Sequence, residues 1–223
     1  MKSKGSIPIP RRLLIIGTGG LAKEIAQLAR RIDPGKTQWD TISYVAATSA
    51  ESGTALPFGS VDYCDAELAK SGLAADAIIA VADPALKKRL AEQYRKLPGL
   101  SFPNMIHPSV DVDPKLVVLG KGNVVAQGVV MTCNIVAGDF NLFNKGCLIG
   151  HDVIVGSFNA VNPAASVSGG ARIGDCCLIA VGARVLDRIS LADRTTVGAG
   201  SVLLSDVTEP GHSYFGVPAR KIR

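Results

Sequence analysis

The feature that most constrains this chain is a six-residue period in its second half. Starting at Leu119, every sixth residue is apolar: Leu119, Val125, Met131, Ala137, Phe143 and Ile149, and so on without insertion to Val197 and Leu203, fifteen positions in all. With 47% apolar residues in the chain, such a run arises by chance about once in a hundred thousand for a given frame, so the period is a structural repeat. Six is not a multiple of 3.6, and a segment this rich in glycine makes a poor helix. The residue after each repeat position is usually small, as at Gly120, Ala126, Gly138, Gly150, Gly156 and Gly174, and small residues there let the backbone turn after each short strand. Six residues per side and three sides per coil make a parallel β-helix of about five coils, each burying its inward residues on the coils above and below. Val112 to Val118 reads as an entry coil, and Glu209-Pro210-Gly211 with Gly216-Val217-Pro218-Ala219 as the end of the prism. Cys147 and Cys177 fall at the fifth repeat position and read as packing residues. Apolar residues such as Val129, Val130 and Ile135 are expected on the outside, where they would drive association into a closed threefold assembly.

The first ~100 residues instead alternate strand and helix signals, as βαβ units do. Leu13-Leu14-Ile15-Ile16 is a short buried strand, Gly17-Thr18-Gly19-Gly20 a turn, and Leu21, Ile25, Leu28 and Ala29 the apolar face of a helix that Asp33-Pro34-Gly35 stops. Further strands are expected near residues 41–46 and 77–82, and a helix opens after Asp83-Pro84 and runs to about Lys96. The expected organisation is an α/β, Rossmann-like N-terminal domain over residues 1–105, followed by an all-β parallel β-helix over 106–223 with a C-terminal cap.

Charge and cysteine content narrow the function classes. The formal charge of +5 comes without any block of five like charges, and one Trp with scattered Tyr does not supply stacking platforms, so nucleic acid is not an expected partner. Phosphate-bearing small molecules suit the same charge balance. The apolar run after the basic start is only Leu13 to Ile16, too short for export or membrane insertion. Five cysteines without paired C-x-x-C motifs indicate neither a disulfide frame nor a zinc site, which reads as a reduced, cytoplasmic protein.

Only three histidines exist. His107 stands at the domain junction and His212 in the C-terminal cap. His151 is the third residue of its hexapeptide and is followed by Asp152, a poor choice for a plain β-helix face. An imidazole with a pKa near ~6.5 suits proton transfer at neutral pH. The turn Gly17-Thr18-Gly19-Gly20 lets a phosphate approach the following helix N-terminus, but it lacks the spacing and downstream acid of a dinucleotide site.

Taken in order, Gly17 to Ile25, Ile106-His107-Pro108-Ser109, the hexapeptide array, Gly150-His151-Asp152 and Gly216-Val217-Pro218-Ala219 resemble the sialic acid O-acetyltransferase and nucleotide-amino-sugar N-acetyltransferase family across nearly the whole chain. The resemblance implies a left-handed β-helix, an exception to the usual crossover hand, assembled as a homotrimer with active sites between neighbouring prisms. It implies acetyl-CoA as co-substrate with no metal, and a sugar nucleotide as acceptor. His151 then matches the catalytic base, Asp152 its acidic partner and Asn144 a position beside the active site. Gly169, Val181 and Ala199 match coenzyme positions, Gly169 through a backbone N–H at the thioester oxygen. Gly17, Gly19, Gly20, Leu21 and Asp83 match the acceptor site, although Asp83 serves equally well as a helix N-cap. Departures occur at Ala160, where some members carry a second histidine, at Gly150, where some carry an acid, and at Leu21, where a histidine is frequent. The implied activity is N-acetylation of a nucleotide-linked amino sugar for surface glycans, with O-acetylation of a sialic acid-type sugar or a non-catalytic trimeric scaffold as alternatives. A zinc hydratase on the same prism needs three histidines per metal, and these three lie in different contexts.

Overall fold

The computed structural model describes residues 11–222. They form two compact units that interleave along the chain: residues 11–80 with 95–101, and residues 81–94 with 102–222.

The first unit is a six-stranded sheet. Strand β1 (Arg11–Ile16) carries four fully buried apolar residues and lies at its centre, flanked by β2 (Trp39–Ala46) and β5 (Ala75–Ile79), both parallel to it. Helix α1 (Gly20–Ile32) follows β1 and buries Ala22, Ile25, Ala26, Leu28 and Ala29 on one face, as the i, i+3, i+4 spacing expects. A hairpin of β3 (Ala55–Leu56) and β4 (Gly59–Cys64), the short helix α2 (Asp65–Ser71) and the edge strand β6 (Leu100–Ser101) complete the order β3-β4-β2-β1-β5-β6. No periodicity marks these elements between residues 47 and 76, because turn residues at Gly53, Pro57, Gly59 and Gly72 interrupt the chain there. Asp33 organises the turn after α1, accepting backbone N–H bonds from Thr37, Gln38 and Trp39 at 2.8–2.9 Å. These bonds outweigh its burial and hold its pKa at about 2.

The second unit is a parallel β-helix. Fifteen short strands run from Val117–Leu119 to Val202–Leu203, and each pairs in parallel with the strand 18 residues away, for example Val130 with Leu148 and Ser166 with Arg184. Three sheets form the sides of the prism, one of them extended by Met105–Ile106 at its start and by a hairpin of Ser213–Gly216 and Ala219–Lys221 at its end. From Val125 to Leu203 the repeat positions are buried, and Leu119 packs partly buried at the start of the same core. Position five of the repeat is equally inward, which corrects two of the residues expected outside: Val129 and Ile135 lie in the core. Val130 does face outward, together with Leu148 on its own side and Val118, Val136 and Ile154 on the next. Cys147 and Cys177 are buried at position five, and loss of solvent pushes both thiols up to about 12.

The corners work differently from the sequence expectation. Glycine directly after a repeat position is required by the next coil: a Cβ on Gly120, Gly138, Gly156 or Gly174 would lie 2.2–2.4 Å from the side chain of Asp139, Ser157, Asp175 or Asp193. The left-handed backbone comes two residues later, at every sixth residue from Gly122 to Gly200, and eight of those positions are not glycine. Asn134 and Asp152, at φ +56° and +59°, are residue types that tolerate this conformation best. Inside one corner an asparagine ladder links coils, with the side-chain oxygens of Asn123, Asn141 and Asn159 accepting backbone N–H bonds from Asn141, Asn159 and Cys177.

Helix α3 (Pro84–Tyr94) belongs to this second unit. Its Lys87 is buried and its Nζ donates to the Asn159 carbonyl at 3.1 Å. Burial lowers the Lys87 pKa to about 7, against smaller opposing effects of Cys176 and Asp83. The folded state therefore binds fewer protons than the unfolded chain between about pH 7 and the ordinary lysine range, and stability rises with pH across that window. Lys87→Met should raise the melting temperature by ~4 °C or more at pH 6 and by less at pH 9, read by thermal melts across that range.

Candidate active site

His151 and Asp152 stand at an exposed corner of the β-helix, just after the strand Leu148–Ile149. The left-handed backbone at Asp152 and its N–H bond to the Cys133 carbonyl, 3.0 Å, fix the turn. That turn brings neighbouring side chains together: His151 Nδ1 lies 2.7 Å from Asp152 Oδ2. Asp152 is held below its usual carboxylate range by the hydrogen bond from His151 and by one from Asn134, so it is ionised at neutral pH. A carboxylate only accepts, which makes Nδ1 the donor and leaves Nε2 as the lone-pair nitrogen. Both side chains are more than half exposed, 66% and 56%, so the imidazole is accessible from solvent. The pair persists down to the depressed Asp152 pKa and is lost as pH falls through it.

One coil further on, Gly169 sits directly against the ring. A Cβ there would lie 2.6 Å from His151 Nε2 and 2.7 Å from Cε1, so only glycine leaves the imidazole its place. Among the described residues no acceptor is found for the Gly169 N–H, whereas the next N–H, of Gly170, donates to the His151 carbonyl at 2.7 Å. Gly150 has a comparable reason, since a Cβ there would meet the Gly169 nitrogen at 2.7 Å, which leaves no room for an acidic side chain at this position.

The remaining sequence candidates fall elsewhere. Asn144 lies at the preceding corner, largely buried, with its Oδ1 accepting the Lys145 N–H at 2.8 Å. Val181 and Ala199 stack at that same corner, both exposed, where Gly200 N–H donates to the Val181 carbonyl. The structure thus brings together His151, Asp152 and Gly169 at one corner and Asn144, Val181 and Ala199 along another. Gly17, Gly19, Gly20 and Leu21 belong to the first compact unit and Asp83 to the second. Gly17 has φ +121° and a Cβ would approach the Ala80 carbonyl at 3.2 Å, a structural reason for glycine. No neighbour lies within 4 Å of a Cβ at Gly19 or Gly20, and α1 opens with neither a side-chain cap nor an acid in its first turn. Asp83 caps α3, its Oδ1 accepting the Leu86 N–H at 2.7 Å. His107 is tied to Ser109, whose N–H donates to Nδ1 at 3.0 Å, and His212 Nε2 lies 3.2 Å from Glu209. Ala160 is fully buried. Among the described residues no group of three or more His, Cys, Asp or Glu converges as a metal site would, and no helix is long and apolar enough to cross a membrane. Asn134, whose side chain meets Asp152, escaped the sequence reading; the 18-residue coil spacing places it directly under Asp152 and is the signal that finds it.

A prism of hexapeptide coils with an imidazole–carboxylate pair on an open corner is the architecture of hexapeptide-repeat acetyltransferases. Comparison with protein-family models and with curated proteins returns no match. Solved structures do match along nearly the whole chain. Perosamine N-acetyltransferase from Caulobacter crescentus, in complex with CoA and GDP-perosamine, is 31% identical with a TM-score of 0.79 over 95% of this chain and 97% of its own. A histidine-to-asparagine variant of that enzyme, with the same two ligands, gives 30% identity and a TM-score of 0.84 over 95% and 96%. The acetyltransferase domain of PglB from Neisseria gonorrhoeae is 28% identical with a TM-score of 0.85 over 95% and 100%. The chain belongs to the nucleotide-amino-sugar N-acetyltransferase family.

Gly169→Ala should push the imidazole off its seat and lower kcat by ~10²-fold, the scale of a misplaced general base, with little change in the affinity for CoA. Steady-state kinetics together with calorimetry of CoA binding measure the two effects separately.

Proposed function

We propose that this protein transfers the acetyl group of acetyl-CoA to the amine of a nucleotide-linked amino sugar, with His151 as general base. The observation that carries the reading is an exposed imidazole whose Nδ1 is engaged by an ionised Asp152, which leaves Nε2 to carry the lone pair. Acetyl-CoA supplies an acyl carbon on a thiolate leaving group. His151 Nε2 takes the amine proton as the C–N bond forms and the C–S bond breaks, then gives it to the departing sulfur. Asp152 holds the tautomer and stabilises the imidazolium, and the Gly169 N–H donates to the acyl oxygen. The matched enzyme from Caulobacter crescentus, solved with CoA and GDP-perosamine, and PglB, solved with acetyl-coenzyme A, support both substrates.

In this reading the six-stranded sheet is a Rossmann-like sugar-nucleotide domain within residues 1–105, and residues 106–223 are a left-handed acyltransferase β-helix. The acceptor's phosphates take the uncapped N-terminus of α1 at Gly17, Gly19, Gly20 and Leu21, where the open space at Gly19 and Gly20 leaves room for a ligand. The coenzyme arm runs along Val181 and Ala199, with Asn144 beside the reacting groups. The protein acts in the cytoplasm, in surface-glycan synthesis, as a homotrimer. The trimer is supported by the exposed apolar stripes Val130–Leu148 and Val118–Val136–Ile154, which flank the His151 corner on both sides. In this reading the Asn144–Val181–Ala199 corner of one copy lies beside His151 of another, the two corners being the two edges of the side that carries Val130 and Leu148.

His151→Ala should reduce kcat by ~10²–10⁴-fold with KM for acetyl-CoA nearly unchanged, and Asp152→Asn should cost less, in assays with GDP- and UDP-linked amino sugars. His107→Ala and His212→Ala should retain activity, since those imidazoles serve a local turn and the cap. Light scattering should give a mass near three times 23.2 kDa, and a protein that stays monomeric at high concentration would remove the shared site.

A further inference from the structure

Asp152 is held from two sides. Its Oδ2 takes the His151 Nδ1–H at 2.7 Å, and its Oδ1 takes a hydrogen bond from Asn134 Nδ2 at 3.1 Å. Asn134 stands one coil earlier at the same corner, 18 residues before Asp152, and both have the left-handed backbone. The Asp152 N–H donates to the Cys133 carbonyl, so the residue before Asn134 anchors the Asp152 backbone while Asn134 anchors its carboxylate. We propose that Asn134 is a positioning residue for acetyl transfer, acting through Asp152 to keep the His151 imidazole in the tautomer that leaves Nε2 free.

Asparagine suits the task for two reasons. It bears the left-handed backbone at φ +56° more readily than most residues. It also offers a neutral donor to the second carboxylate oxygen, engaging Asp152 without neutralising it. An exposed carboxylate beside its own histidine has several rotamers, and the bond to Asn134 favours the one observed, in which Oδ2 meets Nδ1. Gly169 blocks none of this arrangement and sits against the opposite part of the ring, at Nε2, Cε1 and Cδ2. The imidazole is thus placed by three successive coils, through Asn134 with Asp152 on one side and Gly169 on the other.

The inference rests on His151 and Asp152 acting as proposed above, and its test separates the two. Two variants keep the backbone: Asn134→Gly deletes the donor where glycine accepts φ > 0 freely, and Asn134→Asp keeps the shape but faces Asp152 with a like charge. Carboxyl NMR titration should show the Asp152 pKa rising in Asn134→Gly, because a bond that lowers it is gone, and rising further in Asn134→Asp. Imidazole ¹⁵N shifts should show His151 losing its single tautomer in both variants. With acetyl-CoA and GDP-perosamine as probe substrates, kcat should fall ~5–20-fold with both KM values unchanged. In an Asp152→Asn background, Asn134→Gly should add less than twofold to the loss. An Asn134→Gly protein whose Asp152 titration and His151 tautomer match the wild type would overturn the role of Asn134, even where His151→Ala abolishes turnover. Full activity in His151→Ala would instead remove the base assignment on which the role depends.

Discussion

The stacking of coils at an 18-residue spacing governs everything else in the second unit. Each short strand has only two or three residues, too few to be stable alone, and gains its hydrogen bonds from the coils above and below. Because the stack is parallel and in register, identical repeat positions form columns. Inward columns at two positions of six make a continuous core, apolar apart from the asparagine ladder and a few polar residues, while the corner columns point outward and accept almost any chemistry. A functional side chain placed on a corner is therefore braced by residues 18 before and 18 after it. His151 has such a setting, with Cys133 before it and Gly169 after it in the column.

The same stacking explains why glycine is needed where it is. Gly120, Gly138, Gly156 and Gly174 form one column in which each backbone lies against a side chain of the next coil. Gly150 and Gly169 answer to the His151 corner instead: the first makes room for the Gly169 backbone, the second for the imidazole. The family positions that carry an acid before the histidine in some members meet a steric limit here, since Gly150 has no space for a side chain while Gly169 stands against it.

Burial sorts the reactive groups of this chain. Cys147 and Cys177 occupy inward positions, where burial keeps the thiols protonated, and they behave as small apolar residues. Lys87 is the costly exception, a buried amine with one carbonyl partner, retained where α3 meets the asparagine ladder. His151 and Asp152 remain exposed, which suits the proton-transfer role proposed for them. Water screens an exposed pair, so its geometry rests on local hydrogen bonds and on the turn more than on Coulomb attraction.

The β-helix was legible because its repeat is strict: the fifteen apolar positions marked the strands themselves, and their spacing gave the coil. His151 with Asp152 was legible too, since a polar pair stands out against a periodic apolar pattern. The reason for glycine at the corners was not, because the close approach of the next coil and the left-handed residue two positions later depend on how coils stack. Val129 and Ile135 were misplaced for a related reason: apolar type alone does not tell an inward fifth position from an outward sixth. The hairpin at residues 55–64 and helix α2 lie among turn residues whose pairing is decided by the sheet they join. The bond from Asn134 to Asp152 joins residues 18 apart at one corner, and only the folded stack brings an exposed asparagine to the one carboxylate oxygen that the histidine leaves open.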